Sequence, residues 1–518
     1  MSADAAGNAL ISAQELASLL RGRSELALLD VREAGQFGER HIFFAVPLPY
    51  SRLELEIDRL VPRRDVLVVL CDERDGVALR AQSRLRGAGY TQVKVLDRGM
   101  EGWHAAGFKT FRGVNVPSKA FGELVERSHA TPHITPDALN RLLTSSPREV
   151  VIVDGRPLDE FRRMHIPGAI CCPNGELALR IREIVRDEKT TIVVNCAGRT
   201  RSILGAQTLL NCGLRNPIYA LENGTQGWFL SGYELVRGHQ GALPRLPHAG
   251  DVATLRASLT KLAWWRDVPR VSARQLSEWY RDAGRTTYLF DVRTREEYDE
   301  RTLPGAMHTP GGQLLQATDQ WVGIRGARIV LFDANDVRAV PVAYWLRQMG
   351  HTAYVLEGGV GAAIIEAPAA QRCVIPGVPC IDYSECGSMR LIDLRPSMEY
   401  RRGHAPGAIW STRARIRSAT SDVGNVGLIV NDRRIAALAA IDLRECGVEP
   451  FHVLNAPVTE ASPYMPADSD CIDFLFFAST RHDGDAEAAR QYLAWETALI
   501  GQLGPAELET FNVAVDVS

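Results

Sequence analysis

The chain has 518 residues, of which 46% are hydrophobic and 23% are charged, and its formal net charge is −3. These values are those of a folded globular protein, and the nearly balanced charge argues against a nucleic-acid-binding surface. No stretch reaches the roughly 18 uninterrupted apolar residues of a membrane span, and residues 1–8 lack the apolar core of a secretion signal, so we expect a cytoplasmic protein with neither nucleic acid nor membrane as a partner.

Short apolar runs alternate along the chain with segments of helical periodicity. Apolar runs that end at an aspartate predict buried parallel strands. These runs cover residues 26–29, 150–153 and 288–290. Segments in which Ser or Thr precedes helically spaced apolar residues predict capped helices. These segments cover residues 11–20, 134–143 and 271–280. The alternation predicts an α/β fold in which helices flank mainly parallel sheets.

An Asp-x-Arg triplet follows these strands, and it occurs four times. The copies begin at Asp30, Asp154, Asp291 and Asp393. The first two copies are 124 residues apart, and 124 residues also separate Gly89 from Gly213. An equal offset at both ends of a segment indicates duplication. The chain is therefore predicted to contain four copies of one unit of about 130 residues, each large enough to bury its own core.

Two further phrases recur within the copies. The first runs from an acidic-aromatic pair to a Pro-Gly-Ala turn, at residues 160–169, 297–306 and 399–408. The second is a glycine followed four residues later by tryptophan, seen at 99–103 and again at 224–228. The Asp154–Arg156 pair of the second copy is expected to be an internal ion pair or a turn clamp, with a structural role.

The repeats predict four tandem domains followed by a helical tail. The expected ranges are 8–112 for domain 1, 130–238 for domain 2, 268–366 for domain 3, 376–457 for domain 4 and 470–518 for the C-terminal tail. The tail contains an amphipathic helix predicted over 486–503, which we expect to dock on the core or on a second subunit.

Two linkers stand out between the predicted domains. Residues 111–132 are numerous enough to pass over the site of domain 2, where they would act as a connector or supply a wall. Residues 235–270, rich in Gly, Pro and His, are expected to separate two pairs of domains. Trp264 and Trp265 in this linker are expected to pack in an interface.

The ten cysteines stand at irregular positions, including the adjacent pair Cys171 and Cys172. They show neither the spacing of metal ligands nor the framework of a small disulfide-bonded protein. The pattern predicts a reducing compartment, no metal site and no cofactor, and most of the cysteines are expected to be packing residues.

One cysteine differs from the others because it follows the apolar run 192–195 and begins a short basic loop. Cys196 is followed by Ala197, Gly198, Arg199, Thr200, Arg201 and Ser202. Gly198 lets the backbone curl, and the loop amides and the N-terminus of a helix predicted over 202–211 can converge on one negative charge. The two guanidinium groups favour thiolate over thiol and would hold a persulfide. The pattern predicts an anion-binding nucleophile at the carboxyl end of a strand, where ligands of parallel sheets collect.

The triplet, the His-Ile-Pro-Gly-Ala phrase at 165–169, the cysteine loop and the closing Gly-x-x-x-Trp together resemble the rhodanese (thiosulfate sulfurtransferase) superfamily. The resemblance extends to about residue 455 and is strong in the first three copies. It implies four rhodanese-like α/β domains. In this family a cysteine takes a sulfane sulfur from a donor, becomes a persulfide and passes the sulfur to a thiol or cyanide. His165 resembles the family's turn histidine, a structural residue.

Only residues that match the family's loop inherit its chemistry. Cys196 matches the nucleophile, and residues 197–202 match the loop that binds the substrate. Cys71 is expected to take the same place in domain 1, within an acidic loop whose carboxylates would raise the thiol pKa and repel an anionic donor. Asp333 in domain 3 and residues 431–432 in domain 4 replace the nucleophile. The resemblance therefore implies one catalytic domain.

The length and charge of the loop bear on both the type of reaction and the sulfur donor. Phosphatases of the dual-specificity and arsenate-reductase type place an arginine six positions after the cysteine, whereas Arg201 comes five after Cys196, and the tighter loop suits a single sulfur atom. 3-Mercaptopyruvate sulfurtransferases usually carry small neutral residues in place of these arginines. Thiosulfate or another small anionic donor is therefore favoured, although Ala197 departs from the basic residue that commonly follows the cysteine.

The expected reaction begins with attack of the Cys196 thiolate on the outer sulfur of the donor, while Arg199 and Arg201 bind the leaving group. A thiol or cyanide acceptor then removes the sulfur. A different hypothesis is a persulfide relay or scaffold module, in which a protein partner supplies or accepts the sulfur.

Overall fold

The computed structural model describes residues 9–22, 24–238, 241–363, 366–367, 372–420, 424–459 and 465–513. The polar segment 1–8 and the last five residues of the predicted tail lie outside the described residues. Four five-stranded sheets follow one another along the chain, and all of the strand pairs within them are parallel. The predicted α/β fold with four repeated sheets is therefore confirmed.

The first sheet has the strand order β1-β5-β4-β2-β3. Its strands are β1 (Leu10–Ile11), β2 (Leu26–Asp30), β3 (Val46–Pro47), β4 (Leu67–Cys71) and β5 (Val93–Leu96). Its helices are α1 (Ala13–Arg21), α2 (Ala34–Glu39), α3 (Leu53–Leu60), α4 (Val77–Gly87) and α5 (Gly99–Ala105). Every residue of β2 is buried, as its uninterrupted apolar run requires in a sheet covered on both faces.

The second sheet repeats this order after a connecting helix, α6 (Val116–His129). Its strands are β6 (His133–Ile134), β7 (Val150–Asp154), β8 (Ile170–Cys171), β9 (Thr191–Asn195) and β10 (Ile218–Leu221). Its helices are α7 (Pro136–Ser145), α8 (Leu158–Arg163), α9 (Leu177–Ile184), α10 (Thr200–Asn211) and α11 (Gly224–Leu230). Cys196 directly follows the carboxyl end of the central strand β9.

The third sheet follows two linker helices, α12 (Ala249–Leu259) and α13 (Ala263–Asp267). Its strands are β11 (Arg270–Val271), β12 (Thr287–Asp291), β13 (Met307–His308), β14 (Arg328–Phe332) and β15 (Thr352–Leu356). Its helices are α14 (Ala273–Arg281), α15 (Arg295–Glu300), α16 (Gly311–Gln316) and α17 (Ala339–Gln348). The strand order is again the same.

The fourth sheet keeps the strand order with fewer α-helices around it, and the chain ends in further helices. The strands are β16 (Cys380–Asp382), β17 (Arg390–Asp393), β18 (Ile409–Trp410), β19 (Asn425–Ile429) and β20 (Glu449–Leu454). The helices are α18 (Ser397–Arg402), α19 (Ile416–Ala419), α20 (Arg433–Arg444), α21 (Ala486–Gln502) and α22 (Pro505–Leu508). The predicted helix over 486–503 is confirmed as α21. None of the described helices combines the length and apolar content that a membrane crossing requires.

The Asp-x-Arg triplet forms the same internal clamp in all four domains. The arginine Nη2 lies 2.6 to 2.7 Å from an oxygen of its aspartate in each of them. In domain 2 the same Nη2 of Arg156 also donates to the carbonyl oxygen of Met164 at 2.7 Å, which ties the strand end to the following turn. The imidazole of His165 packs on Phe161 with ring centroids 3.9 Å apart. The structural roles predicted for these residues are confirmed.

Contacts divide the chain into two compact units, one holding domains 1 and 4 and the other holding domains 2 and 3 with the C-terminal helices. The prediction that residues 235–270 separate two pairs of domains is therefore wrong. The linker belongs to the second unit, because Trp264 donates to the Asn211 carbonyl oxygen at 2.8 Å and packs on Tyr344. Trp264 therefore contacts both domain 2 and domain 3, as predicted for interface packing, and Trp265 is buried beside it.

Candidate active site

The candidate active-site loop of domain 2 connects β9 to α10 and is held by hydrogen bonds on both sides. Asn195, the last residue of β9, donates its side-chain amide to Asp154 Oδ2 at 3.0 Å, which links the loop to the Asp-x-Arg clamp of its domain. The carbonyl oxygen of Cys196 accepts from the amide of Thr225 at 2.8 Å. Gly224 comes before that amide, and a Cβ there would collide with the Cys196 carbonyl oxygen. This explains the glycine of the recurring Gly-x-x-x-Trp phrase.

The thiol itself lies beneath the surface. Cys196 has 2% of its surface exposed, and its sulfur lies 3.3 Å from the hydroxyl oxygen of Ser202. The Ser202 hydroxyl also donates to the carbonyl oxygen of Arg199 at 2.8 Å. The sulfur of the first loop residue is therefore buried against the hydroxyl of the last loop residue.

The strand registers identify the residues that correspond to Cys196 in the other domains. Asp154 pairs with Asn195, the residue before Cys196, whereas in domain 1 Asp30 pairs with Cys71. The residue that corresponds to Cys196 is therefore Asp72, and the expectation that Cys71 takes this place is wrong by one position. Cys71 ends the strand β4 and is buried in the core, and this burial raises the pKa of its thiol well above the usual value.

The same register confirms Asp333 as the counterpart of Cys196 in domain 3 and corrects the assignment in domain 4. Asp291 pairs with Phe332, so Asp333 comes next. In domain 4, Asp393 pairs with Ile429, which places Val430 rather than residues 431–432 at this position. Asp432 instead caps α20 by accepting from the amide of Arg434.

The loop of domain 3 shows what this backbone conformation binds. The Asp333 carboxylate is fully buried and accepts hydrogen bonds from four loop amides, those of Asn335 at 2.8 Å, Asp336, Arg338 at 2.6 Å and Ala339 at 3.2 Å. In domain 1 the Asp72 carboxylate accepts from the amides of Arg74 and Ala78, both at 2.9 Å. Two of the four loops thus direct their amides at an anionic side chain in the position of Cys196.

Both arginines of the Cys196 loop are paired with carboxylates. Arg199 donates to Glu123 at 2.6 Å and also to Glu126, and both glutamates belong to α6. Arg201 donates to the two carboxylate oxygens of Glu160, each at 2.8 Å. Burial lowers the pKa of each guanidinium, but the glutamates outweigh that effect and raise it above the usual value.

The pairing of Arg201 recurs in domain 3. There Arg338 holds the position of Arg201 and donates to Glu297, which corresponds to Glu160. Since domain 3 lacks the cysteine, this ion pair is part of the fold as well as of the site. The two pairs differ in exposure, because 41% of the Glu160 side chain is accessible against 17% for Glu297.

A glycine is needed at position 198 because neighbouring side chains leave no room for a Cβ atom, and not because the backbone has a positive φ. It is absent from the described glycines that have a positive φ, so the expectation that it is needed for backbone curling is not supported. A Cβ at this position would lie 2.7 Å from Glu496 Oε2 and 3.3 Å from Tyr492 Cε1, both on helix α21. The C-terminal helix therefore packs directly on the candidate active-site loop.

The linker 111–132 also contributes to the site, through helix α6. Lys119, Glu123 and Glu126 are spaced at i, i+4 and i+7, which puts them on one helical face. That face meets the loop. The i, i+4, i+7 spacing was a sequence signal that this face makes charged contacts, but spacing alone does not identify the partner. Among the described residues, no group of three His, Cys, Asp or Glu side chains is arranged to hold a metal ion.

Comparison with known proteins identifies the family. A family model described as rhodanese-like domain matches residues 12–106, 135–231 and 272–363, which together make up more than half of the chain. The crystal structure of a thiosulfate sulfurtransferase from Pseudomonas aeruginosa is 38% identical in sequence. The match covers 98% of this chain and 99% of that chain, with a TM-score of 0.87.

Curated relatives match single segments of the chain. An uncharacterised protein of Synechocystis sp. is 34% identical over 99 residues, which are 19% of this chain and 54% of that protein. A candidate sulfur carrier protein of Bacillus subtilis is 28% identical over 103 residues, 20% of this chain and 54% of that protein. The chain spans about half the length of these curated relatives. The three matched segments, the repeated parallel sheets and the end-to-end structural match show that the chain belongs to the rhodanese-like domain family, in several tandem copies.

Proposed function

We propose that this chain is a sulfurtransferase that moves a sulfane sulfur from thiosulfate, or a similar small anionic donor, to a thiol or cyanide through a persulfide on Cys196. The observation that carries the proposal is the amide nest at this loop position, which holds the carboxylate of Asp333 in domain 3. A nest that binds a side-chain anion suits a thiolate and the terminal sulfur of a persulfide. The similarity to a thiosulfate sulfurtransferase supports the donor class.

The reaction has two half-reactions. In the first, the Cys196 thiolate attacks the outer sulfur of thiosulfate, a sulfur–sulfur bond to Cys196 forms, and the donor's sulfur–sulfur bond breaks as sulfite leaves with the electron pair. In the second, the acceptor thiolate or cyanide attacks the terminal sulfur of the persulfide and takes it, which restores the Cys196 thiolate. The amides of residues 197–202 stabilise the negative sulfur in both halves.

The direct test is intact-protein mass spectrometry after incubation with thiosulfate. The wild-type protein should gain one sulfur and lose it again when cyanide is added, with release of an equal amount of thiocyanate. A protein that stays at its original mass with thiosulfate, under conditions where it remains folded, would contradict the proposed donor.

Arg201 is the guanidinium best placed to bind the leaving sulfite group. It interacts electrostatically with Cys196, and its partner Glu160 is the most exposed carboxylate paired with the loop. Arg199 is held by two glutamates of α6, so an anionic donor would have to displace both. We infer that the donor competes with Glu160 for Arg201.

Glu160→Gln is therefore expected to improve donor binding. Removing the competing charge should lower the KM for thiosulfate about fivefold, equivalent to about 1 kcal/mol, with kcat changed less than threefold. Steady-state kinetics with cyanide as the acceptor measure this. The matched control is Glu126→Gln, which leaves Arg199 paired with Glu123 and should alter KM less than twofold. An unchanged or higher KM in Glu160→Gln would show that Arg201 does not bind the donor.

A persulfide relay is the second candidate function. It is favoured by the 2% exposure of Cys196, by the pairing of both loop arginines, and by the similarity to a candidate sulfur carrier protein. The relay predicts that Cys196 gains sulfur from a protein persulfide, such as that of a cysteine desulfurase, much faster than from thiosulfate. Comparing the two loading rates by mass spectrometry separates the candidates.

A further inference from the structure

A carboxylate from the C-terminal helix is buried against the active-site loop. Glu496 of α21 has 1% of its surface exposed. Its Oε1 accepts hydrogen bonds from the Thr200 hydroxyl at 2.9 Å and from the Lys119 ammonium at 3.3 Å. Lys119 also donates to the hydroxyl of Tyr492, one turn earlier on the same helix. Glu496 thus connects α21, α6 and the loop at a single point.

The second oxygen of Glu496 also faces the loop. Oε2 is buried, has no hydrogen-bond partner among the described residues, and would lie 2.7 Å from a Cβ on Gly198. Glu496 therefore touches the loop at the second and fourth residues after Cys196. Displacement of this carboxylate would therefore remove a hydrogen bond to the loop and a packing contact with it.

The packing of α21 on domain 2 does not by itself require the Lys119–Glu496 ion pair. Apolar side chains of similar volume stabilise a buried interface as well as a buried ion pair, or better. Helix α21 already buries Leu493 and Leu499, which supply apolar contacts. Burial lowers the pKa of Lys119, but the charge of Glu496 outweighs this effect and raises it above the usual value. A buried ion pair that holds a loop hydroxyl indicates a function in the site.

We propose that Glu496 is a positioning residue of the sulfur-transfer site, which acts through the Thr200 hydroxyl to keep the loop amides directed at Cys196. The inference rests on the proposed function. Thr200 is the first residue of α10, so its position sets the first turn of that helix, whose leading amides have no carbonyl partner within the helix. The C-terminal region would then complete a site whose nucleophile lies about 300 residues earlier in the chain.

The test compares two substitutions of Thr200. Thr200→Val removes the hydroxyl at nearly constant volume, and Thr200→Ser keeps it. The first-order rate of sulfur loading onto Cys196 at saturating thiosulfate is measured by rapid quench and intact mass. We expect loading by Thr200→Val to be about tenfold slower, with the half-saturating thiosulfate concentration changed less than threefold, and Thr200→Ser to load within twofold of the wild-type rate.

A matched control separates positioning from stability. Thr208 is buried on the same helix, and its hydroxyl accepts from Trp345 Nε1 at 2.8 Å. Thr208→Val should lower the melting temperature but load sulfur within twofold of wild type. Glu496→Ala should slow loading as Thr200→Val does, and the double variant should be no slower than the slower single variant, because both remove the same hydrogen bond.

Several outcomes would overturn the inference. They are a wild-type loading rate in Thr200→Val, equal slowing in Thr200→Val and Thr208→Val, and slow loading in Thr200→Ser. A wild-type protein that takes up no sulfur would overturn the proposed function first and this inference with it. Normal loading of the wild type with unaffected Thr200 variants would overturn only the role of Glu496.

Discussion

Cys196→Ser is expected to lower kcat/KM for sulfur transfer by about a thousandfold or more. The serine hydroxyl fits the same buried space but is not ionised near neutral pH, and it cannot form the sulfur–sulfur bond on which both half-reactions depend. Since the substitution is nearly isosteric and the loop is held by its backbone, the fold should be retained. The measurements are steady-state turnover of thiosulfate and cyanide, and intact mass after donor treatment, which should show no added sulfur.

The matched control is Cys71→Ser. Cys71 is also a buried thiol at the carboxyl end of a central strand, but its side chain belongs to the core of domain 1. Its replacement should leave the rate of sulfur transfer within twofold of wild type. Residual turnover above a tenth of wild type in Cys196→Ser, or equal losses in the two variants, would rule out Cys196 as the sulfur carrier.

The secondary structure of the repeated domains was predictable because its signals are local. Ser12, Thr135 and Ser272 each stand ahead of a helical pattern, and each accepts a hydrogen bond from a backbone amide three residues later in the structure. The apolar runs before the Asp-x-Arg triplets became interior strands of the sheets for the same reason. Spacing of a few residues is enough to determine a cap or a buried strand.

The register of domain 1 was predictable in principle, and the error there has a physical basis. The 124-residue offset between the first two triplets also leads from Cys196 to Asp72. Taking Cys71 as the landmark instead shifted the comparison by one residue. A shift by one residue turns a strand side chain to the opposite face, which separates a core thiol from a loop side chain. The repeat spacing was therefore a better guide than residue type.

The partners of the loop were not predictable from local pattern. Thr200 and Glu496 are 296 residues apart, and Arg199 is 76 residues from Glu123. Each contact depends on how the connecting helix and the C-terminal helix fold back onto domain 2, and sequence spacing carries no information about that. The grouping of domains 2 and 3 depends on the same kind of long-range packing, and for this reason the sequence suggested other pairs.

The unit that holds domains 1 and 4 contains a buried charge network whose disruption should have a large effect on stability. The Arg413 side chain is fully buried. It donates to both carboxylate oxygens of Glu54, at 2.5 and 2.9 Å, and to Asp442 at 2.7 Å. Tyr50 donates its hydroxyl to the same aspartate at 2.7 Å. Domain 1 supplies Glu54 and Tyr50, and domain 4 supplies the other two residues.

Arg413→Met is expected to destabilise this unit by about 3 to 5 kcal/mol, because two buried carboxylates lose their main positive partner. Sulfur transfer well below the unfolding transition should stay within twofold of wild type, since Cys196 belongs to the other unit. The free energy of unfolding of the affected transition is measured in urea. The matched control is Arg417→Met, which removes a partner of the same Asp442, but from a side chain that is 35% exposed, and it should cost less than about 1 kcal/mol.

The network also predicts how stability depends on pH. Burial raises the pKa of Asp442, but Arg413 outweighs it and the pKa lies below the usual value of 3.8. The stabilisation from this carboxylate is therefore complete above its unfolded pKa and is lost as the pH falls toward the lower folded value. Without Arg413 the folded pKa rises, so acid unfolding of Arg413→Met should begin at a higher pH than that of the wild type or of Arg417→Met. Equal acid midpoints for all three proteins would show that the buried pair does not govern the stability of this unit.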